Sequence, residues 1–350
     1  MMAEEPPLVP PAASATVAVV IGRNEAERLA DALASVRAEG LPVIYVDSAS
    51  SDNSVEIART HADMLLELAR TRPMSAARAR NEGLAAQLER YPHAQLVLFL
   101  DGDCILSPGF VAAASAVMHA RADVAIVVGK LLEKPAPDNP FSRLAALEWS
   151  SAGGDISDFG NLGGIMLARI APVRAVGGFN PLMIAGEDSE LGVRLALAGH
   201  VVTKIAQPMA EHDACISSFG QWWIRSVRAG HALGERYRLH GRSPIRDCRR
   251  EFRSTLFWGI AVPATAIVLA YWTYGLSLLL LLGFPYLGWR IYCHYRRAGA
   301  SRADAFLGAR FGLYAKIANT LGLIRYMHRR MTGHVAIIEY KRPAIKEHPL

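Results

Sequence analysis

Cysteine is scarce in this sequence, and no two cysteines are closely spaced. Cys104, Cys215, Cys248 and Cys293 are its only cysteines. Without a C-x-x-C pair a zinc site is not expected, and the wide spacing argues against a disulfide framework. We therefore expect a protein of a reducing compartment.

The first residues lack an apolar run of signal-peptide length. Residues 1–15 instead contain four prolines and two glutamates. Such a composition cannot bury enough apolar surface to fold and carries no secretion signal. We predict a disordered leader over residues 1–15.

No nucleic-acid-binding motif accompanies the positive charge of the chain. The formal net charge is +6, from 38 lysines and arginines against 32 aspartates and glutamates. A basic chain can bind nucleic acid, a membrane surface or an anionic substrate. The basic residues lie mostly late in the sequence, next to an apolar segment, so we predict membrane lipid and not nucleic acid as a partner.

Charge is absent between Arg253 and Arg290. As one helix this segment would be about 54 Å long, against a hydrocarbon thickness of about 30 Å. A break near Gly275 gives two arms, and basic residues at both ends favour a hairpin whose ends face the cytoplasm. We predict a basic linker over 236–253 and a transmembrane hairpin over 254–294, with a helix pair at the interface or packed within the protein as the alternative.

A further apolar segment runs from Ala303 to Ile324 but contains Asp304, Arg310 and Lys316. Its charges favour a helix along the membrane surface over another crossing, although a re-entrant or soluble helix is also compatible. Residues 295–350 are predicted to form an amphipathic interfacial helix and a tail.

From Val17 onward, short apolar runs alternate with helical stretches, which is typical of βαβ units. The predicted strands are Val17–Ile21, Val43–Val46, Met64–Leu68, Leu96–Leu100 and Val124–Val128. The predicted helices cover Glu25–Ala38, a stretch after Asp52, Ser75–Arg90 and a segment opened by Pro108. The pattern predicts an α/β fold with four or five parallel strands, whose ligands bind at the carboxyl ends of the strands.

Carboxylates follow two of these strands. Asp47 ends one apolar run, and the triplet Asp101-Gly102-Asp103 ends another. Two acids separated by a flexible glycine suit a hard divalent cation that also binds phosphate oxygens, although such triplets also form ordinary turns. Mg²⁺ or Mn²⁺ is the predicted cofactor.

A second acidic pair lies at the predicted start of a helix. Glu187 and Asp188 follow Gly186 and precede a helical pattern that stops at Gly199. Helix capping and interaction with the helix dipole, about 0.3 to 1 kcal/mol, would explain the pair without any chemistry.

Together these segments resemble the family 2 glycosyltransferases. The motifs, in order, are Ile21-Gly22-Arg23-Asn24-Glu25, Val46-Asp47-Ser48-Ala49-Ser50-Ser51-Asp52-Asn53-Ser54, Ala79-Arg80-Asn81-Glu82-Gly83, Asp101-Gly102-Asp103 and Gly186-Glu187-Asp188. The resemblance implies a GT-A fold, a Rossmann-like and mostly parallel sheet flanked by helices, over residues 16–235. Residues 16–130 would bind the nucleotide sugar and residues 131–235 the acceptor.

The resemblance also implies roles for single residues. The nucleotide-sugar contacts would be Ile21, Glu25, Asp47, Arg80, Asn81, Asp101 and Arg225. Asp47 would hold the base, most often uracil. Asp103 and Asp101 would hold the metal, with His212 as a further metal contact. Asp188 would be the general base that takes the proton of the acceptor hydroxyl, and Glu187 would position it.

The segment Gln221-Trp222-Trp223-Ile224-Arg225 is similar to the Q-x-x-R-W motif of processive members, but its arginine is shifted by one and no tryptophan follows. Processive polymerisation is therefore not expected. Arg225 or Arg228 would still meet the diphosphate. The tryptophans would stack on a sugar or, as we favour, pack in the protein or anchor it to the membrane.

We predict an inverting glycosyltransferase at the cytoplasmic face of the inner or plasma membrane. The donor would be a nucleotide sugar, UDP-linked first of all, and the acceptor a lipid-linked or cell-envelope glycan. A sugar nucleotidyltransferase would need a glycine-rich basic phosphate loop, which Gly22-Arg23-Asn24-Glu25 is not. A non-catalytic membrane scaffold that keeps the fold is the other alternative.

Overall fold

A computed structural model describes most of the chain. The described residues are 15–134, 139–148, 153–160, 162–212 and 216–332. The predicted disordered leader, apart from its last residue, and the predicted C-terminal tail from residue 333 lie outside them, as does Cys215.

The first part of the chain alternates strands and helices. The strands are β1 (Thr16–Gly22), β2 (Val43–Asp47), β3 (Met64–Glu67), β4 (Leu96–Asp101), β5 (Cys104–Leu106), β6 (Val124–Glu133), β7 (Gly154–Asp155), β8 (Met166–Arg169) and β9 (Val201–His212). The helices up to residue 240 are α1 (Leu29–Ala38), α2 (Ser54–His61), α3 (Ala76–Arg90), α4 (Phe110–Ala120), α5 (Pro140–Glu148), α6 (Ile170–Ala175), α7 (Glu187–Leu197) and α8 (Phe219–His240).

All nine strands within the described residues belong to one sheet. Eight follow the order β3-β2-β1-β4-β8-β6-β9-β5, and β7 pairs with β9. The pairs β1/β2, β1/β4, β2/β3 and β6/β9 are parallel, whereas β8 runs antiparallel to both of its neighbours. The five predicted strands therefore share one direction, as expected, but β8 separates β4 from β6.

Apolar side chains on both faces of the sheet explain why these strands are continuous hydrophobic runs. Every residue from Val17 to Val20 and from Val97 to Leu100 is fully buried. Phe99 meets Phe179 edge to face, with ring centroids 5.1 Å apart. Each fully buried side chain of this size contributes about 1.5 to 3 kcal/mol. The carboxyl ends of the strands are thus held on a rigid core.

Two helix starts and one strand end differ from the sequence prediction by more than one residue. The first helix begins at Leu29 and not at Glu25, because residues 25–28 form hydrogen-bonded turns. The helix after Pro108 begins at Phe110, behind Gly109 in a left-handed conformation. The strand predicted to end at Val128 continues to Glu133, because it pairs with β9 along its length.

The described residues from 249 to 332 are mostly helical. Their elements are α9 (Arg249–Leu256), a π-helical turn (Phe257–Ala261), α10 (Val262–Val268), a 3-10 segment (Leu276–Leu282), α11 (Gly283–Arg297) and α12 (Arg302–Thr332). The chain reverses at Tyr274 and Gly275, both of which have positive φ. The break near Gly275 that the sequence indicated is therefore present.

By length and composition, one helical segment of the described residues, Leu276–Arg297, could cross a membrane, and it is largely exposed. A single segment of this kind is weak evidence, so the two-armed membrane hairpin stays a prediction. The last helix of the described residues, α12, lies along α8, where Gly230 and Gly322 allow the two backbones to approach closely. Through this contact the C-terminal helices are joined to the α/β part.

Candidate active site

Three strand ends place the predicted site at one edge of the sheet. Gly22 of β1 pairs with Asp47 of β2, and Ile21 pairs with Asp101 of β4. Because neighbouring strands are about 4.8 Å apart, Asp47 and Asp101 lie about 10 Å from each other on either side of β1. The Gly102 N–H donates to the Ile21 carbonyl at 2.8 Å, which fixes the turn after β4 against β1.

Asp47 is almost fully buried and is held by the loop that follows it. Its carboxylate accepts from the Ser50 N–H at 2.8 Å and from the Ser50 hydroxyl at 2.5 Å. The Ser50 hydroxyl oxygen in turn accepts from the Asn24 N–H at 2.9 Å, which ties the loops after β1 and β2 together. Glu25, also predicted at this edge, pairs with Arg28 at 2.6 Å.

Arg80 joins the two predicted halves of the site. It is 2% exposed, and its guanidinium donates to Asp101 at 2.7 Å and to Glu187 at 2.6 Å. Burial alone would lower the pKa of Arg80, but Asp101 and Glu187 raise it above its ordinary value. Arg80 therefore stays charged. Glu187 forms an ion pair with Arg80 in addition to its predicted role of positioning Asp188.

Asp188 lies in the first turn of α7 and is held by backbone amides. Its Oδ2 accepts from the Gly163 N–H at 2.7 Å and from the Gly164 N–H at 3.1 Å. Gly163 and Gly164 both have positive φ, which glycine adopts without strain. Within the described residues no hydrogen-bond donor contacts Oδ1. One carboxylate oxygen is thus fixed by backbone amides, while the other accepts no hydrogen bond from the described residues.

Gly164 brings the donor-side and acceptor-side acids together. A methyl group added at Gly164 would overlap the Arg80 guanidinium and lie 3.2 Å from Asp101 Oδ2. The same residue donates its N–H to Asp188. Asp101 and Asp188, 87 positions apart in the sequence, therefore flank one glycine.

Asp103 and His212, two of the predicted metal ligands, lie near each other. His212 Nε2 lies 3.7 Å from Asp103 Oδ2, and the ligand atoms of Asp103, Cys104 and His212 all lie within 4.8 Å of one another. His212 Nδ1 lies 3.0 Å from Glu133 Oε2. Carboxylate oxygens suit Mg²⁺ and Mn²⁺, and imidazole nitrogen is a common ligand of divalent first-row metals, so the residues fit a divalent cation.

Two other predicted nucleotide contacts have partners within the protein. The Asn81 side chain donates to the Phe179 carbonyl at 2.7 Å and accepts from the Phe179 N–H at 2.8 Å, which clamps α3 to the turn before α7. Arg225 forms a two-bond ion pair with Glu148 of α5, at 2.8 and 3.0 Å. Their contacts with a nucleotide stay predictions.

The tryptophans beside Arg225 pack within the protein. Trp222 is 5% exposed, and its ring lies 4.7 Å from that of Phe311 in α12. Of the three roles that the sequence left open for the tryptophans, Trp222 has the packing role.

Sequence reasoning missed Gly164 as a contact of Arg80 and missed Glu133 altogether. Glu133 is the last residue of β6, so the rule that singled out Asp47 and Asp101, an acid at the end of an apolar strand, would also have found it. It was missed because the predicted strand ended five residues too early. The glycine pair Gly163-Gly164 stands out in the sequence, but its partners Arg80 and Asp101 are too distant in the chain to be read from it.

A curated relative and a solved structure resemble this chain. The "Pre-mycofactocin glycosyltransferase" of Mycobacterium tuberculosis is 31% identical over 219 residues, which is 59% of this chain and 44% of the relative. The chain thus spans less than half the length of that relative. A mannosyltransferase from Pyrobaculum calidifontis, solved in complex with GDP-Man and Mn²⁺, superposes with a TM-score of 0.59 at 18% identity, covering 93% of this chain and 91% of that one.

The mixed sheet flanked by helices and the structural likeness define a GT-A fold. Residues 17–151 match the family model "Glycosyl transferase family 2". The resemblance to this family that the sequence showed is thus confirmed over residues 17–151.

Proposed function

We propose that the protein is a metal-dependent, inverting glycosyltransferase that moves a sugar from a nucleoside diphosphate sugar to an acceptor hydroxyl. The observation that carries the proposal is the junction at Gly164. There Asp101, at the carboxyl end of β4, and Asp188, in the first turn of α7, lie on either side of Gly164. A direct displacement needs a donor site and a base in such proximity.

The donor would lie across the strand ends. Asp47 would accept a hydrogen bond from the base, with Ile21 and Glu25 beside it. Asp101, Asp103 and His212 would hold Mn²⁺ or Mg²⁺, which when bound supplies positive charge to the diphosphate oxygens as the nucleoside diphosphate leaves. Arg80 orients Asp101 through the hydrogen bond at 2.7 Å.

In the reaction the acceptor oxygen would attack the anomeric carbon while the bond from that carbon to the diphosphate oxygen breaks. Asp188 Oδ1 would take the hydroxyl proton, because Oδ2 is held by the two glycine N–H groups. A single displacement of this kind inverts the anomeric carbon. Glu187 would act through Arg80 to fix α7 relative to the donor edge.

The first test is a donor screen with the purified full chain. UDP-sugars are expected to be hydrolysed slowly with Mn²⁺ present, and GDP-Man belongs in the panel because the Pyrobaculum protein binds it. EDTA and the substitution Asp103→Ala are expected to abolish turnover. Absence of turnover and of metal-dependent nucleotide binding with every donor would contradict the proposal and favour the non-catalytic scaffold.

The acceptor that we propose is lipid-linked or a cell-envelope glycan, with the catalytic part at the cytoplasmic face of the inner or plasma membrane. Exposed apolar side chains of the helical reversal support this location, among them Trp272, Leu279 and Leu282. Because the 31% identical relative is named for pre-mycofactocin, that molecule is the second acceptor to test. Membrane lipid extracts, soluble glycans and pre-mycofactocin would be compared as acceptors. A soluble acceptor that outperforms every lipid would reject the lipid-linked assignment.

A further inference from the structure

Three strand ends meet beside the predicted metal ligands. His212 is the last residue of β9, and in the sheet it pairs with Glu133, the last residue of β6, and with Cys104, the first residue of β5. Side chains at directly paired positions extend to the same face of a sheet. The backbone register therefore brings Glu133 and His212 together without any contribution from a flexible loop.

The Glu133 carboxylate is buried and directed at one ring nitrogen. The side chain of Glu133 is 3% exposed, and its Oε2 lies 3.0 Å from His212 Nδ1. A buried carboxylate without hydrogen bonds would be costly, so this contact also stabilises Glu133 itself. On the other side of the ring, Nε2 faces Asp103 Oδ2 at 3.7 Å.

The contacts with Glu133 and with Asp103 indicate which ring nitrogen of His212 carries a proton. An ionised carboxylate only accepts hydrogen bonds, so the short contact places the proton on Nδ1 and makes His212 the donor to Glu133. In a neutral ring Nε2 then directs a lone pair toward Asp103, which is also an acceptor. The observed 3.7 Å suits two ligands of a cation.

We propose that Glu133 is a positioning residue for the metal site. It fixes the tautomer and the orientation of His212 so that Nε2 faces the cation shared with Asp103. Carboxylate groups behind a ligating histidine commonly have this role, and their loss weakens metal binding about 10- to 100-fold. The inference rests on the proposed metal-dependent function, and it adds a residue that lies outside the five sequence motifs.

The test is Mn²⁺ binding to the full chain in detergent, with saturating UDP and, separately, GDP. Free Mn²⁺ is measured by electron paramagnetic resonance, and nitrogen coordination is read from the ¹⁴N modulation of the bound ion. Glu133→Gln removes the charge with little change of shape, and it is expected to weaken Mn²⁺ binding about 10- to 100-fold and to reduce the ¹⁴N signal. His212→Ala should abolish that signal.

Glu211→Gln is the matched control. Glu211 is exposed and precedes His212 in β9, so its side chain extends to the opposite face of the sheet while the charge lost is the same. Its Mn²⁺ affinity is expected to stay within about twofold of the unchanged protein, because second-layer effects need a direct contact with the ligand. Thermal melting of each variant checks its folding, and Glu133→Asp, which withdraws the carboxylate by one methylene, replaces Glu133→Gln if that variant does not fold.

The outcomes separate the inference from the proposed function. Equal Mn²⁺ affinity and equal ¹⁴N signal in Glu133→Gln and Glu211→Gln, with binding lost in Asp103→Asn, would overturn the role of Glu133 and leave the metal site standing. Failure of the unchanged protein to bind Mn²⁺ with either nucleotide would overturn both.

Discussion

At the scale of single residues, the site contains two carboxylates that pair with the buried Arg80. Arg80 was found from a sequence motif, but its pairing with Glu187, 107 positions away, could not be. The pairing is a product of tertiary structure, because α3 and α7 meet only when the sheet has formed. It means that Arg80 supports folding as well as the predicted binding of the donor.

Replacing Arg80 by alanine should therefore reduce stability strongly. Loss of the guanidinium removes the ion pairs with Asp101 and the buried Glu187, and we expect a loss of about 3 to 5 kcal/mol in the free energy of unfolding. Chemical denaturation would measure it. Arg72→Ala removes a mostly exposed arginine that pairs with Glu82, and it should cost at most about 1 kcal/mol. Equal losses in the two variants would contradict the structural role of Arg80.

Gly164→Ala should damage the site more than an equivalent change elsewhere. The added methyl group would overlap Arg80 and disturb the N–H donor to Asp188, at a residue with φ of 72°. Gly177→Ala has a similar φ of 85° but meets nothing within 4 Å. We expect both variants to lose about 1 kcal/mol in the free energy of unfolding, because of backbone strain. Only Gly164→Ala should also slow sugar transfer, by a factor of ten or more, which corresponds to about 1.4 kcal/mol. Similar transfer rates in Gly164→Ala and Gly177→Ala would contradict the proposal that Gly164 joins the donor site to Asp188.

At the scale of elements, local pattern predicted most of the first half of the sheet and little of the second. The strands β1, β2, β3, β4 and β6 are apolar runs flanked by turn residues, so periodicity reveals them. The later strands are short or carry polar residues, and β8 becomes a strand because it pairs with β4 and β6 on both sides. Such pairing is non-local and leaves little trace in a sequence window. For the same reason, Asp47 and Asp188 were found from motifs, whereas Glu133 and the contact of Gly164 with Arg80 were not.

The interface between α8 and α12 should make stability depend on pH. Burial, then Arg329 and Arg228, lowers the pKa of His231 to about 4. Between pH 6.5 and 4 the unfolded chain therefore binds the proton that the folded chain refuses, and stability falls as the pH falls, by up to about 1.4 kcal/mol per unit. Nearby Glu235 has a pKa raised by burial, which acts in the opposite sense.

His231→Gln should reduce this loss of stability at acidic pH. Thermal melting at several pH values between 6.5 and 4.5 would compare it with the unchanged protein and with His93→Gln, which alters an exposed histidine. The His93 variant should follow the unchanged protein. An unaltered slope in His231→Gln would show that His231 is not titrating as its burial implies.

At the scale of the whole molecule, the C-terminal helices are not a separable anchor. Because α12 lies along α8 and α11, a cut after Arg253 would remove a helix that supports the α/β part together with the apolar hairpin. The role of the hairpin is better tested by substitutions on its exposed surface. These leave α12 in place.

Lysines on the hairpin should release the protein from membranes. Leu279 and Leu282 are 59% and 64% exposed, and a lysine in a bilayer core costs about 2.5 to 3.5 kcal/mol. We expect the double substitution Leu279→Lys and Leu282→Lys to abolish flotation with anionic lipid vesicles. Leu197→Lys, on an exposed leucine of α7, is the control and should still float. Flotation of the double variant would contradict the anchoring role.

The central claim is that donor binding and sugar transfer depend on different carboxylates of one site. It is tested most directly by comparing Asp188→Asn with Asp103→Asn for Mn²⁺-dependent donor binding and for transfer to an acceptor. We predict that Asp188→Asn binds the donor as the unchanged protein does but transfers sugar at least about 100-fold more slowly, as expected for loss of a general base. Asp103→Asn should lose both. Transfer at the normal rate by Asp188→Asn would contradict the account.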